Sequence, residues 1–295
     1  MNASPGPPEI FDSRRRTAKL ARGEKAFDSA DFLHVRAAEN AVNSLEVILR
    51  DFGDAVDLSA RPGPFARLLA DSAAVERVGP VQTVGDLASR AAPGAAPLDL
   101  SDQSHDLVVS LMSLHWANDL PGALAQIRRA LRPDGLFLGT LLGAGTLKEL
   151  RASLTQAELE VRGGAQARVS PFADGFDGAA LLQRAGFALP VSDVDRLTVR
   201  YPDLYALVRD LRAMGETNAL AGPIRPMTRG LLARTAEVYA ERYAEPDGRI
   251  PATFEIIHLA GWAPHESQQK PLPRGSAKVR LADALGVREW TGEEE

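Results

Sequence analysis

The chain has 295 residues, of which 45% are apolar and 25% are charged, the composition of a folded globular protein. Its net charge of -5 gives no general attraction for nucleic acid phosphates or anionic lipid, and no apolar run is long enough to span a membrane. The chain has no cysteine, which excludes disulfides, thiolate metal sites and a cysteine nucleophile.

The N-terminal region is predicted to be a short disordered stretch followed by helices. Residues 1–10 are Pro-rich and lack the apolar core of a secretory signal, so we expect disorder there and a cytoplasmic protein. Residues 11–50 read as a helical extension whose first helix begins at Asp12 or Ser13. The three arginines at 14–16 are expected to form a solvated face of that helix.

Residues 51–200 alternate short apolar runs with helical patterns, which indicates a parallel sheet with helices on both faces. The segment Arg132–Gly135 has the composition of a turn before the fourth strand. Thr146 and Glu149 have the spacing of a capping box at the start of a helix. The predicted strands are 54–58, 81–84, 106–112, 136–142 and 191–199.

Residues 201–245 contain two helical patterns with no strand between them, which predicts a helical cap. Residues 246–268 hold the last strand and 269–295 form a Pro-rich tail. The chain is therefore expected to have an α/β, Rossmann-like fold with a seven-stranded, mostly parallel sheet, N-terminal helices and a cap. Such a cap can exclude water and select a macromolecular side chain.

Ligands of doubly wound sheets bind outside the carboxyl ends of the strands, so residues that follow predicted strands are the candidates. Asp86 can accept hydrogen bonds from ribose hydroxyls, although a Gly-Asp pair is also an ordinary turn. His115 and Trp116 lie where a reacting group would bind, but packing explains them equally well. The candidate catalytic residues are His115 and Trp116, and the candidate cofactor-binding residues are Asp57, Leu58, Ser59, Arg61, Gly63, Asp86, Leu87 and Ser113.

Two sets of segments carry a resemblance to known families. The first set is Asp57-Leu58 with Gly63, Asp86, 105–109 and 131–135, and it resembles the motifs of class I S-adenosylmethionine (SAM) methyltransferases, which implies SAM as cofactor. The second set is 110–121, 145–151, 211–218 and 265–268, and it is similar to the branch of that superfamily that contains complex I assembly factors. That branch includes a mitochondrial protein regarded as an arginine hydroxylase of a quinone-module subunit, so the resemblance implies a protein substrate or a complex I subunit as partner.

The first loop departs from the family pattern. Ser59 and Arg61 stand where the family has glycine, and only Gly63 remains. Glycine permits a left-handed turn, where a β-carbon costs about 1–2 kcal/mol. The replacements predict weakened or altered SAM binding, and Arg61 can either fill the site or pair with a carboxylate.

Three functions remain open from the sequence. The first is modification of a complex I subunit, by arginine hydroxylation, or chaperoning of it. The second is SAM-dependent methylation of a small molecule or carrier-bound acid, with His115 as candidate base. The third is a non-catalytic binding module. No His-x-Asp or His-x-Glu pair supports an iron facial triad, so no metal site is predicted, and Glu216 between the cap helices can touch substrate or simply follow a helix end.

Overall fold

The computed structural model describes residues 9–85, 100–172 and 178–269, together with four single positions in the tail. The chain divides into a compact unit, Met1–Pro264, and a second unit, His265–Glu295. All strands of the described residues lie in the first unit. None of the helices in the described residues is both long enough and apolar enough to cross a membrane.

One sheet forms the centre of the first unit. Its strands are β1 (Ala55–Asp57), β2 (Val81–Thr83), β3 (His105–Ser110), β4 (Leu131–Leu142), β5 (Ala188–Tyr201) and β6 (Ile250–Trp262). The spatial order is β2-β1-β3-β4-β6-β5, with β2, β1, β3 and β4 parallel and with β6 antiparallel to both β4 and β5. The predicted α/β, mostly parallel sheet is confirmed, with six strands among the described residues where seven were expected.

Helices flank the sheet and extend the chain at its N-terminus. They are α1 (Ser13–Gly23), α2 (Phe32–Val47), α3 (Gly63–Ala70), α4 (Leu120–Ala130), α5 (Lys148–Arg162), α6 (Gly178–Arg184), α7 (Leu204–Met214) and α8 (Arg229–Tyr243). Short 3₁₀ helices cover Glu24–Ser29 and Leu114–Trp116. As predicted, α1 begins after Asp12, whose carboxylate accepts a hydrogen bond from the Arg15 amide at 2.9 Å.

The core is split into two layers by the alternation of side chains along the strands. Val109 on β3 packs in the layer that contains α2, whereas its neighbour Val108 packs in the layer that contains Leu124 and Ile127 of α4. Full burial of such a side chain contributes about 1.5–3 kcal/mol. Because β3 is buried on both faces, its run of apolar residues was readable as a central strand.

Two local predictions are wrong. The segment Arg132–Gly135 is not a turn before a strand, since β4 already begins at Leu131 and contains an irregularity at Asp134, whose φ is +66°. Thr146 does not cap α5, because its hydroxyl accepts a hydrogen bond from the Glu255 amide of β6 at 3.1 Å. Glu149 likewise accepts from the Thr253 hydroxyl at 2.6 Å. Both side chains bind the neighbouring strand instead of closing a capping box.

The N-terminal residues pack against the loop 215–228 that joins the cap helices. The Asp12 amide donates to the Ala219 carbonyl at 2.8 Å, and Phe11 forms a bridge with Leu220. Helix α1 also approaches α7 closely, because a β-carbon at Gly23 would lie only 2.4 Å from the Ala213 carbonyl oxygen. The N-terminal extension and the cap therefore form one continuous layer.

Candidate functional site

The loop that follows β1 is tied to the end of β3. The Asp57 carboxylate is buried and accepts a hydrogen bond from the Ser59 amide at 2.8 Å. The Ser59 hydroxyl accepts from the Leu111 amide at 2.8 Å, and the Leu58 amide donates to the Val109 carbonyl at 2.8 Å. Burial raises the pKa of Asp57, partly offset by the hydrogen bonds from Ser59. The loop is thus fixed by its own polar groups.

The replacements at the two glycine positions are accommodated without strain. Neither Ser59 nor Arg61 has a positive φ, so the expected cost of a left-handed β-carbon does not arise. The Arg61 guanidinium donates to the Leu20 carbonyl at 2.6 Å and lies 4.9 Å from the centre of the Phe27 ring. Arg61 therefore binds the N-terminal helices and holds them against the loop.

Gly63 is the first residue of α3 and faces open space, since no described atom would lie within 4 Å of a β-carbon there. Amide groups at a helix start, open space and a buried carboxylate fit the amino-acid end of SAM. The residues of this loop that the structure describes are therefore compatible with the cofactor. Asp86, predicted to bind its ribose, and Leu87, predicted to be a further cofactor-binding residue, lie outside the described residues.

A second polar cluster forms around Glu216, which follows the C-terminal end of α7. One oxygen of its carboxylate accepts a hydrogen bond from Trp116 Nε1 at 2.9 Å. His115 Nε2 lies 3.0 Å from the same oxygen. The other oxygen pairs with Arg16 Nη1 at 2.9 Å. The Arg16 and Glu216 side chains are only 1% and 2% exposed. The structure thus places His115 and Trp116, the candidate catalytic residues, around the Glu216 carboxylate.

Arg16 is held in this cluster by stacking and by a second hydrogen bond. Its guanidinium carbon lies 4.8 Å from the centre of the Trp116 ring, and Nη1 also donates to the Gly215 carbonyl at 2.9 Å. Phe11 packs edge-on against the same Trp116 ring, with 5.1 Å between the ring centres. The prediction of a solvated arginine face is therefore wrong for Arg16, because α1 turns this side chain into the protein.

Burial and nearby charges shift the pKa values of Glu216 and of the neighbouring His34. Burial by itself raises the pKa of the Glu216 carboxyl, but Arg16 and His115 outweigh burial and hold this pKa below its usual range. Burial lowers the pKa of His34, on α2, to about 3, with Arg16 and Arg61 acting in the same direction. His34 is therefore neutral at neutral pH. Neither of its ring nitrogens has a hydrogen-bond partner among the described residues.

The segment between β3 and the cluster is strained. Met112 is fully buried with φ at +53°, a conformation that bulky side chains rarely adopt. Its amide is held by the Thr140 hydroxyl at 2.9 Å. The next residue, Ser113, is also buried, and its carbonyl accepts from the Trp116 amide at 3.1 Å. Strain of this kind costs about 1–3 kcal/mol and is concentrated at functional sites.

From the sequence, Arg16 was misread, His34 was missed, and Glu216 was left open as a substrate contact or a residue at a helix end. Glu216 and Arg16 come from the cap and from α1, and only the fold brings them together. His34 did leave a signal, because it interrupts the apolar face that α2 presents with Leu33, Ala37 and Ala41. Within the described residues, no group of three or more His, Asp or Glu side chains is arranged to hold a metal ion.

The chain matches a family model and is similar to proteins from bacteria. Residues 55–139 match the family described as a methyltransferase domain. The YcgJ protein of Bacillus subtilis has a TM-score of 0.44 and 13% identity, covering 78% of this chain and 99% of that chain. A malonyl-[acyl-carrier protein] O-methyltransferase of a Methylovorus species is 40% identical over 185 residues, covering 62% of this chain and 59% of that protein.

Other relatives match more of the chain. The mitochondrial arginine-hydroxylase NDUFAF5 of Rattus norvegicus is 37% identical over 299 residues, covering 96% of this chain and 85% of that protein. The protein of the same name from Danio rerio is 45% identical over 186 residues, and this alignment spans 58% of its length and 63% of this chain. Because these relatives are named as mitochondrial, the predicted cytoplasmic location is contradicted. The chain belongs to the family of the arginine-hydroxylase NDUFAF5.

Proposed function

We propose that this chain modifies an arginine side chain of a protein, a subunit of respiratory complex I, by hydroxylation. One observation carries the proposal: a guanidinium group already lies between the Glu216 carboxylate and the Trp116 ring. A carboxylate and an aromatic face are the groups that recognise a guanidinium. The name of the NDUFAF5 relatives supports the same substrate group.

The guanidinium that occupies the site belongs to Arg16. Because Arg16 is on α1, outside the sheet, movement of this one helix would open the place for a substrate arginine while β3 and the loop after it stay in position. Glu216 would then bind the substrate guanidinium and Trp116 would stack on it. His115 shares the same carboxylate oxygen and would hold Glu216 in this orientation.

The loop after β1 would hold SAM, with its amino-acid end at Gly63 and the start of α3. When bound, SAM supplies an activated methyl group on a sulfonium, which serves methyl transfer. The oxygen atom of a hydroxylated arginine would come from a separate oxidant, dioxygen, whose second oxygen atom is reduced to water by two electrons from an external reductant. Calorimetric titration of the full chain with SAM and with its demethylated product tests this part. Micromolar affinity, about -8 kcal/mol, is readily measured. Loss of binding in Asp86→Ala with retention in His115→Ala would support the site, whereas no binding by the unchanged chain would reject it.

The substrate proposal is tested by mass spectrometry of arginine peptides from the complex I quinone-module subunits. Cells that lack this protein would be complemented with the unchanged chain, with Glu216→Gln or with Trp116→Phe. We expect one arginine peptide to gain the mass of an oxygen atom with the unchanged chain, but not with Glu216→Gln or Trp116→Phe. Glu160→Gln is the matched control, because Glu160 is a partly exposed carboxylate paired with Arg234 on another face.

The same spectra separate the alternatives. Gain of a methylene mass on a protein or carrier would favour the SAM-dependent methyltransferase, which the similarity to the malonyl-[acyl-carrier protein] O-methyltransferase supports. Restored complex I without any mass change would favour a non-catalytic assembly module. Either result would reject arginine hydroxylation. Thermal unfolding of each variant shows whether a lost signal reflects a lost fold.

A further inference from the structure

A cavity of about 560 Å³ lies between the cap helices α7 and α8 and helix α5. Its inner wall is aliphatic, with Leu150 and Leu154 from α5, Val208 and Leu211 from α7, and Leu232 from α8. This volume is within the range of small-molecule sites, roughly 300–1,000 Å³. A ligand that fills the cavity must therefore be mostly apolar.

The rim of the cavity is positively charged. Lys19 and Arg22 reach it from α1, Arg212 from α7 and Arg225 from the loop between the cap helices. Lys19 Nζ donates to the Thr217 hydroxyl at 3.0 Å, and Arg22 donates to a backbone carbonyl of its own helix. In the described part of the chain none of these four cations pairs with a carboxylate. Burial, together with the neighbouring arginines, lowers the pKa of Lys19.

Other arginines at the cavity or on its helices pair with carboxylates. Arg168, also at the cavity, pairs with the buried Glu158 at 2.7 Å. Arg234 on α8 pairs with three carboxylates. In a chain whose net charge is -5, four cations left without carboxylates around one opening indicate that the rim is arranged for an anion from solution.

We propose that this cavity binds an amphiphile of the fatty-acid class, with its alkyl chain among the leucines and its carboxylate between Lys19 and Arg212. A sugar or nucleotide would leave polar groups without partners against the aliphatic wall, which is costly. The Glu216 carboxylate, where the proposed substrate arginine binds, also lines this cavity. The amphiphile would therefore share one wall with the arginine site, and titration with amphiphiles tests its binding without any modification of arginine.

The test is calorimetric titration of the full chain with octanoate, decanoate and dodecanoate below their micelle concentrations, beside decanol and decyl phosphate. Each added methylene should tighten binding about fourfold until the cavity is full. Decanol should bind at least tenfold more weakly than decanoate because it has no charge. Arg212→Gln should weaken decanoate and leave decanol unchanged.

Arg14→Gln is the matched control, since Arg14 is an exposed cation on α1 that does not line the cavity. Leu150→Trp should fill the cavity and weaken every ligand, and its thermal midpoint shows whether it folds. No binding of dodecanoate would overturn the proposal, as would equal affinity for decanol and decanoate. If Arg14→Gln and Arg212→Gln weaken decanoate binding equally, the carboxylate is attracted only by the overall positive charge of the region, and the proposed contact with Arg212 is rejected. If decyl phosphate binds more tightly than decanoate, the ligand's head group is a phosphate and the proposed carboxylate is rejected.

Discussion

The Arg16 guanidinium stacks on the Trp116 ring at 4.8 Å while pairing with a carboxylate, so the first helix and the segment after β3 meet in one buried contact. Arg16 is 199 residues from its hydrogen-bond acceptor, Gly215. The contact joins the N-terminal extension to the cap and to the carboxyl edge of the sheet. The stability of this region and its proposed function therefore depend on the same side chains.

Removal of one partner of the buried ion pair should be costly. Glu216→Gln leaves the Arg16 charge buried without a carboxylate, and we expect a loss of about 3–5 kcal/mol in the free energy of unfolding. The double variant Arg16→Met with Glu216→Gln should be less destabilised than Glu216→Gln alone, because no buried charge remains. Urea denaturation measures both. A double variant at least as unstable as the single one would contradict this account.

His34 should make the stability of the protein depend on pH. Its pKa is about 3 in the folded chain and about 6.5 when unfolded, so the unfolded state binds the extra proton between these values. Stability is fully present above pH 6.5 and falls as the pH is lowered towards 3, with a slope that approaches about 1.4 kcal/mol per pH unit. The titratable groups around it are Glu216, Arg16, Arg61 and His115.

Comparison with His34→Leu isolates this contribution. Urea denaturation between pH 7 and pH 5 should give a shallower slope for the variant, since the other titrating groups are common to both proteins. Identical slopes would show that His34 takes up a proton in the folded state as readily as in the unfolded state.

The order of strands and helices was largely predictable, whereas the site was only half predictable. The apolar run that contains Val108 and Val109 predicted a buried strand, and the short run that contains Asp57 predicted a neighbouring strand. By contrast, Arg16 looked like a surface residue, because three consecutive arginines on a helix cannot all face inward and the sequence does not say which one does. The position of Glu216 fitted both a substrate contact and a residue after a helix end. Both assignments required the packing of α1 on α7.

The Ser59 hydroxyl should stabilise the fold, and its main effect should not be to obstruct cofactor binding. Its hydroxyl accepts from the Leu111 amide, and both groups are buried. Ser59→Ala should therefore cost about 1–3 kcal/mol by leaving that amide without a partner. Ser29→Ala is the control, because the exposed Ser29 hydroxyl only donates to a carbonyl of its own helix. Equal thermal midpoints of Ser59→Ala and the unchanged chain would reject this role.

Arg61 should hold the N-terminal helices in place. Arg61→Gly removes the hydrogen bond to the Leu20 carbonyl and the stacking on Phe27. We expect faster amide hydrogen exchange in α1 and no gain in SAM affinity, because this side chain is directed at the helices. A clear gain in SAM affinity would instead show that Arg61 obstructs the cofactor, as its position in the motif suggested.

Substitutions of Gly63 distinguish an effect on stability from an effect on cofactor binding. Its φ is not left-handed and no described atom crowds its β-carbon position, so Gly63→Ala and Gly63→Leu should fold with almost unchanged thermal midpoints. If SAM lies against the start of α3, the leucine fills that space and should weaken SAM binding at least tenfold, about 1.4 kcal/mol. Gly79→Ala gives the opposite pattern, because its β-carbon would lie 2.2 Å from the Gly53 carbonyl oxygen, which must lower stability. Unchanged SAM affinity in Gly63→Leu would move the cofactor away from this loop.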